Sequence, residues 1–121
     1  MRSARRFFPL IVLVALAGFA QQPAAKAVYA VTYIDVFPNF VADTNKLLLD
    51  LAANSRKEPG SKSVDILRDV ERTNHFTIVE VWENHAAYDQ HLMAAHTRNF
   101  RDKIQPYLGS PFDTRLYNLL Q

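Results

Sequence analysis

Alternating and helical patterns of apolar residues divide the chain after residue 27 into six elements. Residues 28–36 are rich in β-branched and aromatic side chains and predict a strand. Residues 40–56 place apolar side chains at the spacing of one helical face, which predicts a helix. Asn39 has the side-chain type of an N-cap, and Gly60 lies just beyond the predicted end of this helix.

The clearest strand pattern covers residues 75–83, which pair with residues 63–70 in a predicted hairpin. Because side chains alternate between the two faces of a strand, one face carries Phe76, Ile78, Glu80 and Trp82. The opposite face carries Thr77, Val79 and Val81. If the first face is buried, the carboxylate of Glu80 needs a partner, and Arg115 on the predicted last strand is a candidate.

The C-terminal third predicts two helical pieces and one more strand. Asn84 is the expected N-cap of a helix over residues 85–93, and a second piece covers residues 95–107. Residues 112–120 predict the last strand. The order of strands and helices predicts an α+β fold of the ferredoxin-like βαββαβ type, with helices on one face of a four-stranded antiparallel sheet.

The sheet face that the helices leave uncovered predicts a homodimer. Apolar side chains such as Ile34 or Val79 are expected there, and a second copy of the same face is the simplest cover. The chain contains no cysteine. Disulfides therefore cannot stabilise this small domain, and its stability must come from its core or from a partner chain.

The first 27 residues form a predicted signal peptide. Three arginines among the first six residues precede an uncharged, mostly apolar stretch over residues 7–20. This stretch is shorter than the roughly 20 residues that span a membrane. Small residues permit cleavage after Ala20 or Ala27, which leaves one secreted or periplasmic domain over residues 28–121. An uncleaved membrane anchor is the alternative.

Removing the signal segment changes the charge of the chain. The full sequence has 14 basic and 12 acidic residues, and residues 1–27 contain four of the basic residues and no acidic one. The remaining 10 basic and 12 acidic residues give a formal net charge of −2. They are scattered, and no glycine-rich phosphate loop is present, so we expect neither nucleic-acid binding nor a nucleotide cofactor.

Residues 76–100 carry the most specific motif of the sequence. A strand ending in Glu-x-Trp is followed by a helix with alanine and histidine, and then by a second histidine and a phenylalanine. In this motif the chain resembles the antibiotic biosynthesis monooxygenase family, small dimeric α/β-barrel proteins that include quinol monooxygenases. The resemblance covers about residues 28–119. The matching positions are Glu80, Trp82, Ala87, His91, His96 and Phe100.

The resemblance implies a cofactor-free oxygenase that oxidises a phenol or quinol with O2, without flavin or metal. A base removes the phenolic proton, and the anion then reduces O2 inside an apolar pocket. The predicted catalytic residues are His91, His96 and Trp82. The predicted binding residues for a small apolar or aromatic ligand are Trp82, Tyr88, Phe100 and Phe76.

Each of these residues also has a structural interpretation. Histidine titrates near neutrality and suits a base, but His91 and His96 equally suit packing or capping roles. On one continuous helix their rings would lie about 140° apart, and no third ligand is evident, so no metal site is predicted. Trp82 equally suits a core aromatic, and Tyr88 a partly exposed helix position.

Two other functions stay open at this point. The first is a non-catalytic binding protein for an apolar ligand such as haem. The second is a structural or regulatory dimer whose pocket is filled by side chains. The enzyme hypothesis expects a hollow beside Trp82 that at least one imidazole reaches, whereas solid packing around the indole supports the structural interpretation.

Overall fold

The computed structural model describes residues 26–120 and the single residue Gly18. The predicted signal peptide, apart from Gly18 and residues 26–27, lies outside these described residues. Within them, no helix combines the length and the apolarity that a membrane crossing requires.

Four strands and three helices follow one another along the chain in the predicted order. The strands are β1 (Val28–Asp35), β2 (Ser61–Arg68), β3 (His75–Trp82) and β4 (Asp113–Tyr117), and the helices are α1 (Val41–Ser55), α2 (His85–Met93) and α3 (Ala95–Ile104). The sheet has the order β2-β3-β1-β4, and neighbouring strands are antiparallel. The predicted ferredoxin-like α+β fold is therefore confirmed.

The two faces of the sheet differ in burial because side chains alternate along each strand. In β3, Phe76, Ile78, Glu80 and Trp82 are buried, and the residues between them are only half-buried. In β1, residues 28, 30, 32 and 34 are buried in the same way. The expectation that Ile34 is exposed is wrong, since this side chain lies on the helix-covered face. Val79 lies on the outer face, as expected.

The apolar core is concentrated towards one end of the sheet. Leu48 of α1 and Ile104 of α3 are completely buried against strand residues such as Val64 and Phe76. A smaller cluster, consisting of Ala30, Trp82 and Tyr88, lies apart from this core. The helix-covered face thus contains a large apolar half and a smaller aromatic half.

Several element ends differ from the sequence prediction. Asn39 is not the N-cap of α1, because Pro38 starts a short 3-10 turn and Phe40 precedes the helix without a side-chain cap. Asn84 is the N-cap of α2, as predicted, and its side-chain oxygen accepts a hydrogen bond from the Ala87 N–H at 2.9 Å. Strand β4 ends at Tyr117, three residues before the predicted end.

A tight turn at Gly60 joins α1 to β2. Gly60 has φ of +82°, a region that residues with a side chain rarely adopt. A Cβ atom at this position would lie 2.6 Å from the Cβ of Ala87 in α2. The Gly60 carbonyl also accepts a hydrogen bond from the Glu83 N–H at 2.7 Å. The turn is thereby fixed against the end of β3 and the start of α2.

We expect Gly60→Ala to lower the free energy of unfolding by about 1–3 kcal/mol, because the left-handed backbone and the contact with Ala87 both become unfavourable. Urea denaturation followed by circular dichroism measures this change. Gly109→Ala is the matched control, since Gly109 has no positive φ and its nearest neighbour, Asp35 Oδ1, lies 3.3 Å from the added atom. Equal stability of the two variants would contradict the prediction.

Candidate active site

A break between α2 and α3 places His91 and His96 on the same side of the molecule. Ala94 has an extended backbone, with φ of −61° and ψ of 142°, so the two helices are not continuous. The separation of about 140° that a single helix imposes is therefore removed. The two imidazole rings lie 6.2 Å apart between their centres.

Glu58 connects the two imidazoles. It lies in the turn between Ser55 and Gly60, and its Oε2 atom is 2.6 Å from Nδ1 of His91 and 3.1 Å from Nε2 of His96. The sequence analysis did not identify Glu58, which lies 33 residues before His91. Only the packing of the turn against α2 brings the two together, so no local pattern pointed to it.

Glu80 contacts the other nitrogen of His91. Its Oε1 atom lies 3.1 Å from Nε2 of His91, and both side chains are almost completely buried. The prediction that Arg115 is the partner of Glu80 is wrong. Arg115 pairs across the sheet with Val31, on the outer face, and its guanidinium lies 2.7 Å from Asp113 Oδ2. Strand alternation separates it from Glu80, whose neighbour on β1 is Ala30.

The indole of Trp82 is completely buried and stacks on His91, with ring centres 4.6 Å apart. The face of an indole attracts a cation, so this stack favours a positively charged imidazole. Among the described residues, Trp82 Nε1 has no hydrogen-bond partner. The indole packs beside the cavity described next rather than forming part of its wall.

A small cavity between the sheet and α2–α3 has a volume of about 30 Å³. Apolar side chains such as Ile78, Leu92 and Phe100 form much of its wall. The polar groups in its wall include Glu80, Tyr88, His91 and Thr97. Because one water needs about 10–15 Å³, the cavity has room for a water or an O2 molecule but not for an aromatic ring.

The structure places the predicted site residues in three different surroundings. His91, Tyr88 and Phe100 form part of the cavity wall, and Trp82 is packed against His91. His96 instead lines a different cavity of about 70 Å³, beside Asn54 and Asn99. Phe76 lies in the main apolar core and not in the wall of the small cavity.

The buried position and the neighbouring carboxylates act in opposite directions on His91. Burial disfavours its charged form, but the contacts with Glu80 and Glu58 favour it more strongly and raise the pKa of His91. Burial is the main cause that raises the pKa of the Tyr88 phenol, and the charge of Glu80 adds to it. Tyr88 is therefore neutral and can act as a hydrogen-bond donor at neutral pH.

Glu58, His91 and His96 each offer one potential metal ligand atom, and these atoms lie within 4.8 Å of one another. Zinc bound at about 2.0–2.2 Å from tetrahedral ligands keeps those ligands about 3.3 Å apart. The 2.6 Å contact between His91 and Glu58 is shorter, and it has the length of a charge-assisted hydrogen bond. As the atoms stand, a proton and not a metal ion connects them.

The fold places this chain among the small α+β sandwich proteins, and in this chain a carboxylate–imidazole group lies under the helices. The model of the antibiotic biosynthesis monooxygenase family matches residues 27–103, which is more than half of the chain. The chain therefore belongs to the antibiotic biosynthesis monooxygenase family.

Individual relatives are similar over part of the chain. YcnE of Bacillus subtilis is 31% identical over 81 residues, which is 67% of this chain and 85% of YcnE. The protein sll1783 of Synechocystis is 33% identical over 67 residues, which is 55% of this chain but only 46% of sll1783. The match thus spans less than half of the length of sll1783.

Solved structures share the fold. PA3566 from Pseudomonas aeruginosa superposes with a TM-score of 0.76 at 21% identity, covering 83% of this chain and 100% of PA3566. A structure from Nitrosomonas europaea gives the same TM-score at 19% identity, with 83% and 96% coverage. At this level of identity the likeness establishes the fold.

We expect the stability of the protein to fall as the pH rises above about 6.5, the ordinary pKa of histidine. A raised pKa in the folded state stabilises the fold fully below the unfolded-state pKa, and this contribution is lost as the pH passes through the folded-state pKa of His91. Urea denaturation between pH 6 and 9 measures the slope.

Glu58→Gln removes one of the two charges that raise this pKa, so its slope is expected to be smaller. Glu71→Gln removes an exposed carboxylate from the turn between β2 and β3 and is the matched control. Identical slopes for the two variants would show that Glu58 does not stabilise the charged form of His91.

Proposed function

We propose that this family member is an exported monooxygenase that oxidises a phenolic or quinol-type aromatic substrate with O2. The observation that carries the proposal is the buried group of Glu80, His91 and Glu58 beside an otherwise apolar cavity. Phenol oxidation needs a proton acceptor, a donor for the developing anion and protection from water. The carboxylates and His91 offer the acceptor and the donor, and the apolar side chains of the cavity wall limit contact with water. Export rests on the predicted signal peptide.

The overall reaction is balanced without an external reductant. A phenol with a free para position and O2 give a quinone and water, and a quinol with a free ring carbon and O2 give a hydroxyquinone and water. One oxygen atom enters the ring, the other leaves as water, and the substrate supplies all the electrons. Removing the phenolic proton is the step that the protein assists, because a phenolate transfers an electron to O2 more readily than a phenol does.

The dimensions of the cavity suggest how the substrate binds. It holds O2 or the substrate hydroxyl but not a ring. The ring must therefore enter from the rim, where Phe112 is half-buried and Arg101 is exposed. The Tyr88 hydroxyl is then a second donor for the phenolate oxygen.

The haem alternative has less support. Both ring nitrogens of His91 are in contact with carboxylates, so neither is available as an axial ligand. The cavity beside it is also far smaller than a porphyrin. The complete burial of Trp82 favours the alternative of a structural dimer whose pocket is filled by side chains. However, His91 lines the cavity, as the enzyme hypothesis requires.

We expect the purified protein to consume O2 with at least one member of a panel of substituted hydroquinones and phenols. His91→Ala should lower kcat by about 100-fold or more, because it removes the hydrogen-bond donor for the developing phenolate. Trp82→Phe should have a smaller effect, because it changes the stack on His91 and leaves both carboxylates. An oxygen electrode and product chromatography measure the rates.

The matched control for these variants is Leu49→Ala, an exposed position on α1. Background rates with every substrate, or unchanged rates in His91→Ala, would contradict the proposed oxidation.

We further propose that two copies associate through the outer face of the sheet. Val31 and Val79 lie opposite each other at its centre, and Tyr33 nearby is 45% exposed. A monomer leaves this central apolar strip partly in water, and a second copy of the same face covers it symmetrically.

Val79→Asp is expected to convert the dimer to a monomer, because it places a charge at the centre of the apolar strip. Size-exclusion chromatography with light scattering measures the mass. Leu49→Asp places the same charge on α1, where Leu49 is 63% exposed, and should leave the mass unchanged. A wild-type monomer at micromolar concentration would reject the proposed interface.

A further inference from the structure

The contacts of His91 indicate how many protons its ring carries. Nδ1 lies 2.6 Å from Glu58 Oε2, and Nε2 lies 3.1 Å from Glu80 Oε1. An ionised carboxylate only accepts hydrogen bonds, so the 2.6 Å contact requires a proton on Nδ1. The Glu80 carboxylate beside Nε2 favours a proton on that nitrogen as well. An imidazole with protons on both nitrogens is a cation. It therefore has no free lone pair with which to remove a proton from a substrate.

The surroundings of His91 support this charged state. Titratable or charged groups reach it or its cavity from the turn after α1, from β3, from α2 and from α3: Glu58, Glu80, Tyr88, His96 and Arg101. Only Glu58 and Glu80 lie within ion-pairing distance of its ring among the described residues. The stacked Trp82 ring adds further attraction for a cation.

Glu80 has the position of a proton acceptor. It forms part of the cavity wall, and its Oε1 atom faces His91, which leaves its other oxygen for a substrate hydroxyl. Glu58 contacts His91 from outside the cavity and is not part of the wall. The two carboxylates therefore differ in what they can do: one meets the substrate, and the other only holds the imidazole.

We propose that His91 stays an imidazolium throughout the reaction at neutral pH, that Glu58 is the positioning residue that keeps it so, and that Glu80 takes the proton from the substrate. The role of Glu80 rests on the proposed phenol oxidation, whereas the charge of His91 does not.

The proton transfer exchanges one buried anion for another. The phenolic O–H bond breaks, its electron pair stays on the phenolate oxygen, and the proton bonds to the Glu80 carboxylate. Neutral Glu80 then attracts His91 less strongly, and the Nε2–H of His91 donates to the phenolate. The imidazolium balances a negative charge before and after the step, which lowers the cost of forming a phenolate away from water.

Nitrogen-15 NMR of the histidine rings tests the charge of His91 without any substrate. We expect both ring nitrogens to be protonated at pH 7 in the wild-type protein and in the control Glu71→Gln. Glu58→Gln should shift His91 towards the neutral ring at the same pH, and Glu58→Asp should restore part of the cation. A neutral His91 ring in the wild-type protein overturns the inference.

Kinetics with the best hydroquinone of the panel test the role of Glu80. Glu80→Gln, which is nearly isosteric, should lower kcat about 100-fold or more with a smaller change in KM. Glu58→Gln should lower kcat less, and Glu58→Asp should recover part of the loss. Wild-type kcat in folded Glu80→Gln overturns the inference.

If Glu80→Gln does not fold, the temperature dependence of the wild-type pH–rate profile decides. An acid limb that hardly moves with temperature belongs to a carboxylate and supports Glu80, whereas a limb that moves strongly belongs to an imidazole and contradicts it.

The two proposals also fail separately. Active enzyme with a neutral His91 rejects this inference alone, and a charged His91 in a protein that oxidises no phenol rejects the oxidation and the role of Glu80 with it.

Discussion

A buried imidazole held between two carboxylates is the interaction on which the rest of the site depends. Burying any one of these three groups alone is costly, and removing one partner from a buried ion pair leaves a charge without compensation. His91 with Glu58 and Glu80 avoids this cost only while all three stay in contact. The positions of β3, of the turn after α1 and of the helix break are therefore coupled to one another through a few polar atoms.

The two ends of the helix-covered face differ in polarity, although Ile78 and Phe100 belong both to the apolar core and to the cavity wall. One end of the helix-covered face packs Leu48, Phe76 and Ile104 into a core without ionisable groups. The other end contains Trp82 stacked on His91, with the cavity and Glu80 beside it. An apolar core can thus supply most of the folding free energy, and the polar cluster can keep an arrangement that suits proton transfer.

Much of the architecture follows from local patterns. The alternation in β3, the cap at Asn84 and the six-element order predicted the sheet and the helices with errors of a few residues. The errors arose where local signals compete. At Asn39 the preceding proline delays the start of α1, and Arg115 lies on the opposite face of the sheet from Glu80. Among the site residues, the motif identified His91. The alternation placed Glu80 on the buried face but with a structural role, and nothing local pointed to Glu58.

The amino-acid sequence by itself determined which side chains share a strand face or a helix, because these relations depend on periods of two and 3.6 residues along the chain. It also determined the family, through a motif within one stretch of 25 residues between Phe76 and Phe100. Only the tertiary structure decided that Glu58 meets both histidines, that Phe76 lies away from the cavity and that the cavity is small. Contacts between residues far apart in the chain depend on how the helices pack on the sheet, and no local period encodes that packing.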